Sequence, residues 1–225
     1  MQQILKYIAG IITTLVISLP VCAQQEEKTD SIPLWNGFRV ELDVASPMLY
    51  AMGLNEWYTT EGALQVNLKY KYFPVIELGV SGLSDKQSVT GATFNANGMY
   101  GRFGADINLL KYKNPKYADN LFLVGGRIGM SSFSYDLMNV TVTDDYWGVT
   151  EVRNYQNMPV TKFWFEIVAS MRVMVSRNVF LGWSIRSKNR FGTSTDSEVS
   201  PFFIPGYGNA QSSNWAFNYV IGYKF

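Results

Sequence analysis

The chain has 225 residues, 19 basic and 18 acidic, with one cysteine and no histidine. So flat a charge balance leaves no basic footprint for nucleic acid. Without imidazole there can be no Ser-His-Asp triad, no His-based metal site and no usual general base near neutral pH.

In chain order, residues 1–23 have the form of a secretory signal. Lys6 gives a basic start, Tyr7 to Leu19 is a short apolar run, and Val21-Cys22-Ala23 fits a small-residue cleavage site. The run is shorter than the ~20 apolar residues of a spanning helix. Cleavage there removes Cys22; the alternative makes Cys22 a lipidated first residue, though Val21 is a poor lipobox residue. Residues 24–35 are mostly polar and charged and form a flexible leader. Residues 36–225 are expected to be one domain.

That domain alternates apolar and polar residues with a period of two, the mark of strands with two unlike faces. Phe38 to Val44 sets Phe38, Val40, Leu42 and Val44 against Arg39, Glu41 and Asp43. Ala63 to Phe73 sets Leu64, Val66, Leu68, Tyr70 and Tyr72 against Gln65, Asn67, Lys69 and Lys71. After Pro74, Ile76, Leu78 and Val80 oppose Glu77, Gly79 and Ser81. Met99 to Leu110 opposes Phe103, Ala105, Ile107 and Leu109 to Arg102, Gly104, Asp106 and Asn108. Leu121 to Met130 and Phe163 to Val175 place Arg127, Glu166 and Arg172 on the polar face. Val179 to Arg186 adds Gly182, Ser184 and Arg186. Asn214 to Phe225 alternates Trp215, Phe217, Tyr219, Ile221, Tyr223 and Phe225 with small or polar residues.

Eight strands result, and their connections alternate in length. Short ones lie around Pro74, at Lys111 to Asn120 and at Ser176 to Asn178. Long ones run from Ala45 to Gly62, Leu83 to Gly98, Ser131 to Lys162 and Ser187 to Ser213. Short turns on one side and long loops on the other fit an all-β, eight-stranded, antiparallel, up-and-down transmembrane β-barrel with a filled polar interior. A soluble lipocalin-type barrel would invert the faces. Gly79, Gly104, Gly125, Gly129, Gly182 and Gly222 on the polar face suit a narrow filled interior better than a watered exterior. The long runs also match the ~9–11 residues of a tilted membrane strand.

The ending "GYKF" resembles the C-terminal signal by which outer-membrane barrel proteins are recognised for assembly: a terminal aromatic, Phe225, and a second two residues earlier, Tyr223, here after Gly222. The whole chain resembles small outer-membrane barrel proteins of Bacteroidota, through its signal peptide followed by Gln24-Gln25-Glu26-Glu27, its eight long strands and its terminal Phe. The resemblance implies the outer membrane of a Gram-negative bacterium, outer-membrane lipid as surroundings and the barrel assembly machinery as a partner during biogenesis. Known barrel enzymes, among them lipid A deacylases, palmitoyl transferases, phospholipases and omptin-type proteases, rely on a His that this chain lacks.

The polar face supplies an interior charge network of Arg39, Glu41, Asp43, Lys69, Lys71, Glu77, Arg102, Asp106, Arg127, Glu166, Arg172 and Arg186. Buried charge must be paired, so a polar plug is expected, with a narrow conducting path as the alternative. Two aromatic clusters are expected on the long loops: Tyr146 and Trp147 near the tip of a hairpin spanning Asn139 to Val152, and Phe202, Phe203, Ile204 and Tyr207 between prolines. Exposed apolar clusters mark contact surfaces; the alternative is that they cap the barrel mouth or rest on headgroups. No catalytic, cofactor or metal site is expected. The reading is a non-enzymatic interaction or complex subunit, or surface-binding module, with a protein partner at the membrane or cell surface; a small channel and a His-independent lipid-modifying enzyme are the alternatives.

Overall fold

A computed structural model describes residues 33–87, 91–110, 120–143, 150–191 and 200–225. The expected signal segment, most of the expected leader, and Tyr146 and Trp147 lie outside these residues. The chain divides into two units, Met1–Leu34 and Trp35–Phe225, and the second is the barrel.

Its elements are β1 (Trp35–Asp43), α1 (Ala45–Ala51), β2 (Trp57–Leu68), β3 (Tyr72–Lys86), β4 (Thr93–Asn108), β5 (Leu121–Thr143), β6 (Thr150–Met174), β7 (Val179–Arg190), β8 (Phe203–Ile204), β9 (Gly208–Asn209) and β10 (Ser213–Lys224). Eight of them close a ring in the order β1-β10-β7-β6-β5-β4-β3-β2, and β8 and β9 form a separate small hairpin. Every pairing is antiparallel. The strand ends joined by connections 69–71, 109–120 and 175–178 lie together at one end, with Trp35 and Lys224; those joined by 44–56, 87–92, 144–149 and 191–212 lie at the other, here called the loop end.

The faces are those that the alternation dictates. Leu78 is 63% exposed beside Glu77 at 2%, and Phe103 is 58% exposed beside Arg102 at 3%. Apolar side chains therefore point outward around the ring, and charged ones point inward. This is an eight-stranded transmembrane-type barrel with a filled polar interior. In such a barrel lipid takes the apolar face, and closure satisfies the backbone. The inner glycines make room for large neighbours. A Cβ on Gly222 would overlap the Phe180 ring, one on Gly129 the Trp164 ring, and one on Gly182 the Arg172 side chain. Gly37 is different: its φ is +86° at an irregularity in β1, and a side chain there would strike the Phe225 carbonyl.

Two expectations are corrected. The connection expected from Leu83 to Gly98 shrinks to 87–92, because β3 and β4 stay paired up to Lys86↔Thr93. Likewise β5 runs to Thr143 and β6 from Thr150, so the strands on either side of the expected hairpin at Asn139 to Val152 are far longer than expected; residues 144–149 lie outside the described residues. Above the apolar band the outward residues become polar, as at Ser84, Asn95, Asn97, Ser132, Ser134 and Thr161. The inward residues there are apolar instead, Phe94, Ala96, Phe133, Tyr135 and Leu137. The period of two continues with its polarity reversed, so a strand reading that tracks the outward apolar face stops before the strand does. A seven-residue helix, α1, also sits in the first long connection, too short to show a helical period.

Candidate functional site

The interior is built in three layers. Nearest the short turns, Phe73, Leu121 and Leu123 form an apolar floor. The Arg39 guanidinium lies 5.5 Å from the ring centroids of both Phe73 and Phe180, a cation–π arrangement that offsets part of its burial.

The middle layer is a lattice of ion pairs. Arg172 forks across the barrel from β6 to Glu41 on β1, with Nε and Nη2 donating to the two carboxylate oxygens at 2.8 and 2.7 Å. Arg127 forks onto Asp106 at 2.8 Å on each oxygen, and its Nε donates to Glu77 at 3.2 Å. Gln65 Nε2 donates to the same Asp106 at 3.1 Å. Glu77 also accepts from Arg102, at 3.1 Å, and from Arg186. Arg102 Nε lies 2.8 Å from Glu166, and its Nη1 donates to Glu61. Arg186 reaches Glu61 at 3.2 Å and Glu166 at 3.4 Å. Tyr100 Oη donates to Glu61 at 2.9 Å, and Trp164 Nε1 to Glu166 at 2.7 Å. Buried forked pairs of this kind hold register as well as charge.

Charge closes over the buried interior as a whole. Among the described residues, the buried acids are Glu41, Asp43, Glu61, Glu77, Asp106 and Glu166, six in all; the buried cations are Arg39, Arg102, Arg127, Arg172, Arg186 and Lys188, also six. Asp43 stands apart at the loop-end limit of β1. It accepts from Asn218 Nδ2 at 2.9 Å, from the Ala45 N–H at 3.1 Å and from Ser46 Oγ.

Lys69 and Lys71 do not belong to this set. Both are exposed in the β2–β3 turn. Lys69 and Tyr70 have φ of 54° and 53°, which breaks the alternation that would have carried the lysines inward. Two inner charges were missed instead, Glu61 and Lys188, because they fall in stretches assigned to loops. Their signal was faint: Arg186, Lys188 and Arg190 continue every second position past the last apolar outward residue.

The third layer is an inserted loop. Residues 201–210 fold into the mouth, with Ile204 paired to Gly208 and Phe203 to Asn209. The loop turns at Gly206 and Gly208, with φ of 78° and 105°. Phe203, Ile204 and Tyr207 are almost fully buried, whereas Phe202 is 63% exposed. They pack with Leu83, Phe94, Phe133, Tyr135, Leu137 and Trp164. Phe203 lies 5.8 Å from Trp57, and Tyr207 meets Trp164 edge-on at 5.8 Å. Two inner cations hold the loop: Arg102 Nη2 and Lys188 Nζ donate to the Gly206 carbonyl at 2.8 and 2.7 Å. Of the expected contact cluster, only Phe202 therefore faces outward. An apolar sequence serves a partner and a plug alike, and here the mouth of the barrel supplies the apolar surroundings.

The insert is also tied by its own end, since Tyr207 Oη donates to the Gln211 carbonyl at 2.9 Å. Tyr207→Phe should lower stability by about 0.5–1.5 kcal/mol, read as a shifted urea midpoint for loss of the unboiled gel band. An unchanged midpoint would show that the hydroxyl is no tether.

Each of Glu41, Glu61, Glu77, Asp106 and Glu166 is engaged by a guanidinium. No group of three or more His, Cys, Asp or Glu side chains that could hold a metal occurs among the described residues. The strongest chemical feature of the site is self-neutralisation beneath an apolar lid.

No curated protein matches the chain. The crystal structure of Ail, the attachment invasion locus protein of Yersinia pestis, in complex with the heparin analogue sucrose octasulfate, is similar in structure. Its TM-score is 0.39 and its identity 8%, over 84% of this chain and 94% of that one. A family model described as "Domain of unknown function (DUF6048)" matches residues 4–225, and the chain belongs to that family.

Proposed function

We propose that this protein is a non-enzymatic barrel of a Gram-negative outer membrane that engages a partner at its loop end. One observation carries the reading: the buried interior side chains among the described residues chiefly engage one another. An apolar floor, a lattice of ion pairs and an inserted loop lie along it, which favours the loops as the surface for binding. Eight strands enclose a space that side chains can fill, whereas water-filled porin channels take ~16–18 strands. The apolar outer face supports the membrane placement.

The β5–β6 hairpin is the natural contact element. Among the described residues, β6 pairs with β7 from Trp164 onward and the Phe191 N–H donates to the Phe163 carbonyl, so Thr150 to Lys162 rise beyond those pairs. Asn139 and Asn157 adopt φ of 58° and 52°, and their N–H groups donate to Asn154 Oδ1 and Asp136 Oδ1 at 2.7 Å each. These irregularities bend the hairpin at fixed points. This stretch of β6 contains Arg153, Pro159 and Lys162, residue types that discourage indiscriminate strand addition.

Gentle detergent extraction with crosslinking tests the reading. A stoichiometric partner in the membrane fraction, lost on Trp147→Ala or Phe202→Ala, is the expected result. A barrel that extracts alone, with altered lipid A or phospholipid in a deletion strain, would replace the reading with an enzyme. A steady ion-selective current in planar bilayers would replace it with a channel.

A further inference from the structure

The first loop differs in chemistry from the others. Val44 to Asn55 contains no Asp, Glu, Lys or Arg. Its helix α1 buries none of its residues, and Met48, Leu49, Tyr50, Met52 and Leu54 are all exposed. By contrast, the hairpin exposes polar and charged groups such as Glu151, Arg153, Asn154 and Gln156.

The wall beside α1 is incomplete. β1 pairs with β10 only from Val220 to Lys224 and with β2 only from Gly62 to Leu68. Loopward of those pairs, β10 from Ser213 to Tyr219 has β7 as its strand neighbour, and β2 from Trp57 to Glu61 has β3. Among the described residues neither stretch has a strand on its other side. The helix α1 packs against both strands there. The Val44 N–H donates to the Tyr219 carbonyl at 2.9 Å, and Tyr50 meets Tyr58 edge-on at 5.9 Å. The outward side chains of these stretches include Trp215, Phe217 and Tyr58, again exposed. The apolar surface of α1 thus continues the apolar band of the wall, through Leu42, Val44 and Phe217.

We propose that α1, with Tyr58, Trp215 and Phe217, is a lipid-contact platform: the first loop lies in the headgroup–acyl boundary of the membrane rather than in water. The inference rests on the membrane reading above. The partner is lipid because the surface is continuous with the lipid-facing band and its one charged residue, the exposed Glu56, stands at the edge of the connection, outside α1. Trp and Tyr favour that boundary. A helix satisfies its own backbone groups, so α1 can lie beside the seam at the headgroup level, where water and headgroups reach the strand edges that a further strand would otherwise pair. The first loop is thereby removed from the set of partner-binding loops.

Single-cysteine variants in a Cys22→Ser background, each labelled with an environment-sensitive dye, test this in phosphatidylcholine vesicles. Leu49→Cys and Met52→Cys probe α1, Leu78→Cys the wall and Arg153→Cys the hairpin. Nitroxide-bearing phosphatidylcholine and aqueous iodide are the quenchers. The expected result is blue-shifted emission from L49C, M52C and L78C, quenched by the nitroxide lipid and shielded from iodide, with R153C the reverse. L78C protected by lipid while L49C and M52C are quenched by iodide would overturn the platform and leave the membrane reading intact. Iodide access at L78C as well would overturn both.

Discussion

Glu77→Ala is expected to lower barrel stability by about 3–5 kcal/mol, the usual cost of removing one partner from a buried ionic cluster. Glu77 is 2% exposed and accepts from three guanidiniums: Arg102 at 3.1 Å, Arg127 at 3.2 Å and Arg186. Its loss leaves three cations sharing the remaining carboxylates in a site that water does not reach. Desolvated charge without a partner is the dominant cost; the cavity adds to it. Glu166→Ala should act in the same direction, since Glu166 contacts Arg102 and Arg186 and accepts from the Trp164 indole. The measurement is the urea midpoint for loss of the unboiled, compact gel band. The exposed Glu151–Arg153 pair on the hairpin, 3.2 Å apart, is the internal control: Glu151→Ala should leave the midpoint unchanged, because water screens that pair. A Glu77→Ala barrel as stable as the wild type would mean that the lattice is not what holds the wall in register.

The second large effect is expected from deleting Tyr223 to Phe225. Only five residue pairs, from Arg39↔Lys224 to Asp43↔Val220, close the ring between β1 and β10. The deletion removes two of them. It also removes the Phe225 N–H bond to the Phe38 carbonyl at 2.9 Å and the stacked contact of those rings at 4.5 Å. The bond from Asn178 Nδ2 to the Lys224 carbonyl, at 2.7 Å, goes too. The strand edges so exposed would face hydrocarbon, where each unsatisfied backbone group costs several kcal/mol. Heat-modifiable barrel in the membrane fraction should fall severalfold, and protease sensitivity should rise. Phe225→Ala separates two causes: it keeps the backbone bonds and loses the rings. A loss as deep as that of the deletion would point to recognition of the terminal aromatic during assembly; a mild loss would point to ring closure. Wild-type amounts of the truncated barrel would defeat both.

How far the sequence reached is clearest at β3 and β4. The alternation of Ile76, Leu78 and Val80 with Glu77 and Gly79, and of Phe103 and Ala105 with Arg102 and Asp106, set each strand's phase with no knowledge of its neighbours. A period of two is a local property of the backbone, and lipid outside against ion pairs inside gives it maximal contrast. The all-β class, the eight strands, their order and the inward direction of Arg39, Glu41, Glu77, Arg102, Asp106, Arg127, Glu166, Arg172 and Arg186 were legible for that reason. Lys69 and Lys71 were misplaced because a turn ends the period without changing the residue types. The strands' loopward extensions were missed because the polarity of the two faces reverses there: Asn95, Asn97, Ser132 and Ser134 are exposed while Phe94, Ala96, Phe133 and Tyr135 are buried, the opposite phase to the lipid-facing band. Partner choice inside the barrel was beyond any local signal. Arg172 finds Glu41 across 131 positions of sequence, and Arg102 reaches the Gly206 carbonyl across 104. Such meetings depend on strand tilt and stagger at closure, which are properties of the whole ring. The same holds for Phe203, Ile204 and Tyr207. Their composition announces an apolar surface, but whether it meets a partner, lipid or the barrel's own mouth depends on the space that Trp57, Phe94, Tyr135 and Trp164 leave between them, and that volume exists only once the sheet has closed.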